Sequence, residues 1–449
     1  MARKEMYRLM AGTAVAVFLL SIGVDAAQNG QHEADNAIRF FQWKVSQDPD
    51  DLFNYDRLGV AYIQKARETG DVAWYDLATK ALEKSLALDS TSPEAAPSKK
   101  HLATVYYANH RFSEALALAQ EAIELNPADI TPYALIGDAW SEKGDYAQAV
   151  AAWRHLQDPV PQSAVSGVRY LEQTRQSVDS LLKGDTKSAV DHMRQAIDIS
   201  VESRMARETM AWSYFTLGDD YFQAGDLTGA KAAYNDALKA YPGYHRALAG
   251  SARVAAAEGR FDDAIGLYRK ALGVIPLPVY AAALGDVYAR AGKAAEAGKQ
   301  YDLVEYIGRL NKFSQTIYNR ELAAFYADRD IHPEEALELA RKEFDIRHDI
   351  YTWDTLAWAL YRNNRQEEAA AAIKEALRFD TKDAVLFFHA GMIYARLGEN
   401  DKAGDYLRRA IGLNPQFHPL HADLARATLQ SLAKDTVTQA GLRAVDARQ

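Results

Sequence analysis

Cysteine is missing from all 449 residues of this sequence. Its absence excludes disulfide bonds, thiolate metal sites and cysteine nucleophiles. A basic excess is missing as well: the formal net charge is −9, whereas proteins that bind nucleic acids usually carry a positive surplus. We therefore predict no nucleic-acid partner and no chemistry that depends on a cysteine thiol.

The short motifs that mark enzyme active sites are also absent. The sequence contains no Walker A loop, no G-x-G-x-x-G, no G-x-S-x-G and no H-E-x-x-H. Its 11 histidines are scattered, and no pair at i, i+4 has a plausible third ligand. The sequence thus predicts a protein that is not an enzyme and that has no cofactor and no metal site.

What the sequence does contain is a recurring motif between Tyr214 and Pro242. The motif repeats after 34 residues, since Ala264 corresponds to Ala230 and Pro276 to Pro242. Small residues stand where two helices would cross closely. A glycine stands where the first helix would end, and an aspartate where the second helix would begin. A proline follows the second helix. The motif residues are Tyr214, Leu217, Gly218, Tyr221, Ala230, Tyr234, Ala237 and Pro242.

This motif resembles the tetratricopeptide repeat, whose pattern is W-x2-L-G-x2-Y, then A-x3-F, then P. The resemblance implies an all-α fold, a right-handed superhelical solenoid of stacked helix-turn-helix repeats. It extends over nearly everything from Glu33 to Ala433, and the chain also resembles uncharacterised bacterial secreted proteins of this family.

The frame alanine of the motif predicts ten repeats. It recurs as Ala78, Ala115, Ala149, Ala189, Ala230, Ala264, Ala297, Ala336, Ala369 and Ala403. The predicted order is a signal peptide (1–26), an N-terminal half-repeat cap (33–49), repeats 1–3 (53–157), a degenerate repeat or hinge (158–203), repeats 5–10 (204–415), a C-terminal capping helix (419–433) and a flexible tail (434–449).

The N-terminus has the pattern of a secretory signal. Arg3, Lys4 and Arg8 precede an apolar run from Met10 to Val24, and small residues follow at Ala26 and Ala27. We expect cleavage after one of these alanines, leaving a periplasmic or extracellular protein without stable membrane insertion. The alternative is a retained N-terminal membrane anchor, although about 15 apolar residues are few for a bilayer span.

The family resemblance places the first helix of each repeat on a concave face that binds protein or peptide segments. Aromatic residues edged by arginine suit such a contact, although the same aromatics could instead pack between neighbouring helices. Candidates in repeats 9 and 10 are Tyr351, Trp358, Tyr361, Arg362, Phe388, Met392 and Arg396, and a second cluster in repeat 5 is Trp212, Phe215 and Phe222.

A line of groove-facing arginines, Arg253, Arg290 and Arg320, would suit an acidic segment. The alternative is that each pairs with a neighbouring carboxylate. We predict a non-catalytic exported scaffold that binds a protein or peptide along its concave face, in the assembly of an envelope or export complex. The alternative is an accessory or regulatory subunit of an enzyme on another chain, and the sequence carries no signal for an oligomeric state.

Overall fold

The computed structural model describes residues 33–314 and 319–446, with side chains for residues 34–310 and 319–434. Over these ranges the chain forms twenty-two α-helices and no strand. Consecutive helices pack in antiparallel pairs, so the predicted all-α solenoid is confirmed. The predicted signal peptide, 1–26, lies outside the described residues.

The helices follow one another through short turns. The first half of the chain contains α1 (Glu33–Gln47), α2 (Leu52–Thr69), α3 (Ala73–Leu88), α4 (Ala96–Ala108), α5 (Phe112–Leu125), α6 (Pro132–Glu142), α7 (Tyr146–Arg154), α8 (Val165–Leu182), α9 (Thr186–Glu202), α10 (Arg207–Gln223) and α11 (Leu227–Ala240). The second half contains α12 (His245–Ala257), α13 (Phe261–Val274), α14 (Pro278–Arg290), α15 (Ala294–Ser314), α16 (Asn319–Arg329), α17 (Pro333–Phe344), α18 (Ile350–Arg362), α19 (Gln366–Ala376), α20 (Ala384–Arg396), α21 (Asn400–Leu413) and α22 (His421–Asp446).

Helices α2 to α21 make ten hairpins, flanked by α1 and α22. The segment predicted as a degenerate repeat or hinge contains α8 and α9, which pair like the other hairpins. In place of a glycine, Ser177 donates a hydrogen bond to the carbonyl of Ala189 at 3.0 Å across this pair. At the other end, α22 runs to Asp446, so the predicted end of the capping helix at 433 is too early. No proline or glycine interrupts residues 421–440.

Each hairpin depends on a close approach of its two helices. In repeat 5, a Cβ added to Gly218 would lie 2.5 Å from Cε1 of Tyr234, whose side chain is fully buried. The turn is fixed by Gly225 in the left-handed region and by Asp226, whose carboxylate accepts from the backbone N–H of Gly229 at 2.8 Å. The small residue and the ring opposite it therefore set the helix separation together.

We expect Gly218→Leu to destabilise the protein by about 2–3 kcal/mol, because the added side chain overpacks the space that Tyr234 fills. The measurement is the free energy of unfolding in urea. Gly266→Leu is the matched control, since Gly266 is an exposed helical glycine with nothing within 4 Å of an added Cβ. The control should be neutral or slightly stabilising, and equal losses in the two variants would contradict the assigned packing.

The solenoid winds so tightly that hairpin tips of the early repeats touch the links between later ones. The backbone N–H of His348 donates to the carbonyl of Glu142 at 2.9 Å, at the tip of repeat 3. At the tip of repeat 4, Leu182 accepts from the Thr381 hydroxyl at 2.8 Å. Asn414 donates to the Phe222 carbonyl at 2.7 Å near the tip of repeat 5. The tip of each of these hairpins thus contacts the link that follows the repeat five units further along the chain.

Ion pairs and rings reinforce these contacts between turns. The buried guanidinium of Arg347 lies 3.1 Å from Glu142 and 2.8 Å from Glu343. Tyr146 accepts from the backbone N–H of Ile350 at 3.1 Å, and its ring meets that of Phe379 edge-on at 4.9 Å. The concave side is therefore the interior of a closed superhelical turn and not an open groove.

Within the described residues, no helix is both long enough and apolar enough to cross a membrane.

Candidate functional site

The two aromatic residues at the centre of the predicted binding strip are buried. Trp358 is 1% exposed and Phe388 is 0% exposed. Trp358 stacks between Tyr361 at 4.7 Å and His389 at 4.2 Å. Phe388 stacks on His421, from the C-terminal helix, at 4.8 Å. Of the two alternatives that the sequence leaves open for these rings, the structure shows packing between helices: His389 of α20 covers Trp358, and His421 of α22 covers Phe388.

The other members of this strip are held by neighbours to different degrees. The Arg362 guanidinium lies over the Trp358 ring at 4.5 Å and donates to the carbonyl of Ala327 at 2.6 Å. Arg396 is exposed and donates to Asn364 at 3.0 Å, and Met392 is half-buried. Tyr351 is 41% exposed. The strip therefore contains both packed and exposed side chains, and Tyr351 is its most accessible ring.

The second cluster is packed as well. Phe222 is 6% exposed, and Trp212 and Phe215 are half-buried. Phe215 contacts the rings of Tyr234 and Tyr244 at 6.0 and 6.3 Å. These contacts belong to the hairpin core of repeats 5 and 6, which leaves only part of each ring for a ligand.

The three arginines predicted as a positive line are each paired with a carboxylate. Arg253 contacts Asp219 and donates to the Tyr234 hydroxyl at 2.6 Å. Arg290 contacts Asp423, and Arg320 lies 3.6 Å from Asp349. The alternative interpretation, pairing with neighbouring Asp residues, therefore describes these side chains in this structure.

In the part of the chain that the structure describes, two neighbouring cavities share Arg253 in their lining. The first, of about 350 Å³, is bounded by aromatic rings, both signs of charge and the link before α22. Its lining includes Phe222, Arg253, Tyr268, Asp286, Arg290, Gln416 and His418. The second, of about 460 Å³, shares Arg253 and Tyr268 and reaches the tip of repeat 1; its lining includes Gly70, Phe215, Asp219, His245, Arg246 and Glu321. A mixed polar and aromatic lining of this size suits a few residues of a peptide.

Two buried carboxyl groups, Asp286 in the lining of the first cavity and Asp220 on α10, have shifted pKa values. Burial acts to raise the pKa of Asp286, but hydrogen bonding from His418 and the nearby Arg329 hold it below the usual range. Asp220, on α10, has no such compensation: burial and the adjacent Asp219 raise its pKa to about 7. One carboxylate oxygen of Asp220 is buried without a hydrogen-bond partner.

The structure also brings together histidines that are scattered in the sequence. His389, His418 and His421 surround Asp328 at the meeting point of α16, α20 and α22. Burial acts to lower the pKa of His389, but Asp354 raises it overall; burial and the other two histidines keep the pKa of His421 well below its usual value. Spacing along one helix could not reveal this cluster, because its members come from three elements.

Comparisons with known proteins agree with the repeat frame. One tetratricopeptide-repeat family model matches residues 100–164 and 215–276, and a second matches residues 384–417. These segments are repeats 2 and 3, repeats 5 and 6, and repeat 10. A search of curated proteins gives no match.

Solved structures that are similar to this chain include a tetratricopeptide repeat protein from Parabacteroides merdae, with 18% identity over 59% of this chain and 99% of that chain, at a TM-score of 0.32. The Cut9–Hcn1 hetero-tetramer of APC/C has 14% identity over 89% of this chain and 94% of that one, at 0.32. Yeast Tom70 has 14% identity over 86% and 99%, also at 0.32.

Proposed function

Since this chain belongs to the tetratricopeptide-repeat family, we propose that it is a non-catalytic scaffold that binds a short segment of a protein partner inside its superhelix. Stacked repeats build extended concave surfaces that serve protein recognition. The observation that carries the proposal is the cavity of about 350 Å³ beside Arg253, whose lining combines aromatic, cationic and anionic side chains.

The chemistry of the cavity specifies the kind of segment. The Arg253 guanidinium lies over the Phe222 ring at 4.4 Å, which holds a positive charge against an apolar wall. Arg290 stands at the rim, 43% exposed, and Asp286 lies deeper, 5% exposed. A segment with an apolar side chain flanked by a carboxylate matches this arrangement, because the carboxylate can share Arg290 with Asp423.

The same proposal includes a cellular setting. The basic residues and apolar run of residues 3–24 support export, with function in the periplasm or outside the cell and with a role in assembling an envelope or export complex. The alternative, an accessory subunit that modulates an enzyme on another chain, uses the same cavity and differs in the partner.

Site-specific photo-crosslinking in the native host tests this proposal. The probe replaces Gln416, an exposed residue of the cavity lining, and the control probe replaces Lys374, exposed on the outer helix α19. We expect one defined protein to be captured from position 416 and not from position 374. Loss of an enzyme activity of that protein on deletion of this chain would select the accessory-subunit alternative. Equal capture at both positions, or no capture at 416, would contradict binding inside the superhelix.

A further inference from the structure

Four side chains with metal-binding groups converge where α16, α20 and α22 meet. Nε2 of His389 and Nε2 of His421 lie 4.0 and 3.9 Å from the same Oδ1 atom of Asp328. The ligand atoms of Asp328, His418 and His421 all lie within 4.8 Å of one another. Ligands on a tetrahedral zinc ion, at bond lengths of about 2.0–2.1 Å, stand about 3.3 Å apart. The ligand atoms of these side chains must therefore move closer together to share one ion, with His389 approaching from its position 4.0 Å from Asp328.

His389 has the environment of a metal ligand held by a carboxylate. Its Nδ1 lies 2.9 and 3.0 Å from the two oxygens of Asp354. Its Nε2, which points toward Asp328, is buried without a hydrogen-bond partner, and the residue is 5% exposed. A histidine that donates one ring N–H to a carboxylate and leaves the other nitrogen free is the usual arrangement at protein metal sites.

Neighbouring rings keep the other two groups in position. Trp358 donates its indole N–H to Oδ1 of Asp328 at 3.0 Å. His421 is stacked between Phe388 at 4.8 Å and His418 at 4.1 Å. These contacts restrict the rotation of the ligating groups before any ion arrives, which reduces the entropy lost on binding.

The charges around the cluster favour a divalent cation. Three carboxylates lie in or beside it, those of Asp286, Asp328 and Asp354, and Arg329 pairs with Asp286 at 2.5 Å. With the histidines neutral, as ligation to a metal requires, this set carries two net negative charges. One divalent ion would offset them, and burial makes such compensation more important than at the surface.

We propose that Asp328, His389 and His421 bind one Zn²⁺ ion that ties α22 to α16 and α20, with His418 completing the set. Imidazole nitrogens with one carboxylate oxygen suit zinc. His418 accepts two long hydrogen bonds at Nδ1, from the backbone N–H groups of Leu420 and His421 at 3.2 and 3.3 Å, and its ring gives these up on binding. His418 also lines the 350 Å³ cavity, which provides an entry path. This site does not depend on the proposed peptide binding.

The test is isothermal titration of the full chain with Zn²⁺ alone, after removal of bound metal with a chelator and dialysis. We expect one ion per chain and a higher melting temperature with Zn²⁺. The double variant His389→Gln/His421→Gln should lose both effects. Asp354→Asn, which leaves all the proposed ligands in place, should weaken binding by about 10- to 100-fold.

His155→Gln is the matched control, because His155 is about half exposed and pairs with Asp158 on the surface. It should bind Zn²⁺ as the unaltered protein does. Circular dichroism of each variant without metal checks that the fold is retained. The absence of Zn²⁺ binding by the unaltered chain, or unchanged affinity in the folded double variant, would overturn the site.

Discussion

Gly144→Ala should destabilise the protein by about 3 kcal/mol and open the superhelix. Gly144 has φ +77° at the tip of repeat 3, so a side chain costs about 1 kcal/mol in backbone strain there. An added Cβ would also overlap the backbone carbonyl of His348 in the next turn. Because that neighbour is backbone, it cannot rotate away, and the overlap adds about 2 kcal/mol. The measurements are the free energy of unfolding and the radius of gyration by small-angle scattering.

The chain supplies its own control for this result. Gly259, at the tip of repeat 6, has φ +76°, but nothing lies within 4 Å of an added Cβ. Gly259→Ala should therefore show the strain alone, about 1 kcal/mol, with no change in the radius of gyration. Equal losses in both variants, or unchanged scattering from Gly144→Ala, would mean that the contact between turns does not hold the superhelix closed.

Asp220→Asn should stabilise the protein by about 2–4 kcal/mol at pH 8 and have little effect at pH 4. Asp220 is 3% exposed, and its pKa is raised to about 7, from about 3.9 in an unfolded chain. Below pH 4 the carboxyl is neutral in both states. Between pH 4 and pH 7 the unfolded chain loses this proton while the folded protein keeps it, so the stability of the unaltered protein falls.

The asparagine variant lacks that titration, so the difference between the two proteins should grow across the same interval and then level off. Unfolding curves in urea from pH 4 to pH 8 give the comparison. Asp302→Asn, at an exposed position on α15, is the control and should leave the pH dependence unchanged. A difference that is constant with pH would show that Asp220 is ionised in the folded protein throughout.

The hairpins could be predicted because their determinants are local. Gly218 and Tyr234 are 16 positions apart, and their offset alone indicates a small residue facing a large one. Asp226 and Gly225 mark their turn in the same way. Such signals repeat in every unit, so the position of each helix pair follows from the sequence with small errors at the ends.

The state of the concave face could not be predicted in this way. Trp358 and Phe388 occupy positions that a family pattern assigns to the groove, yet their burial depends on α20 and α22, and on a path of the superhelix that no single repeat encodes. The tip glycines make the same point. Gly144 and Gly259 look alike in sequence, and only the winding of the chain makes one of them crowded. The histidine cluster likewise arises from three separate elements.

The contacts between turns also change how this chain should fold. A repeat protein with neighbour contacts alone can unfold from its ends, one unit at a time. Here hydrogen bonds join residues 192, 199 and 234 positions apart. Closing such long loops delays folding. Once formed, however, these hydrogen bonds couple the early repeats to the last ones. The solenoid should therefore lose its structure as one cooperative unit, and removing the last repeats would leave the tips of repeats 3, 4 and 5 without their partners.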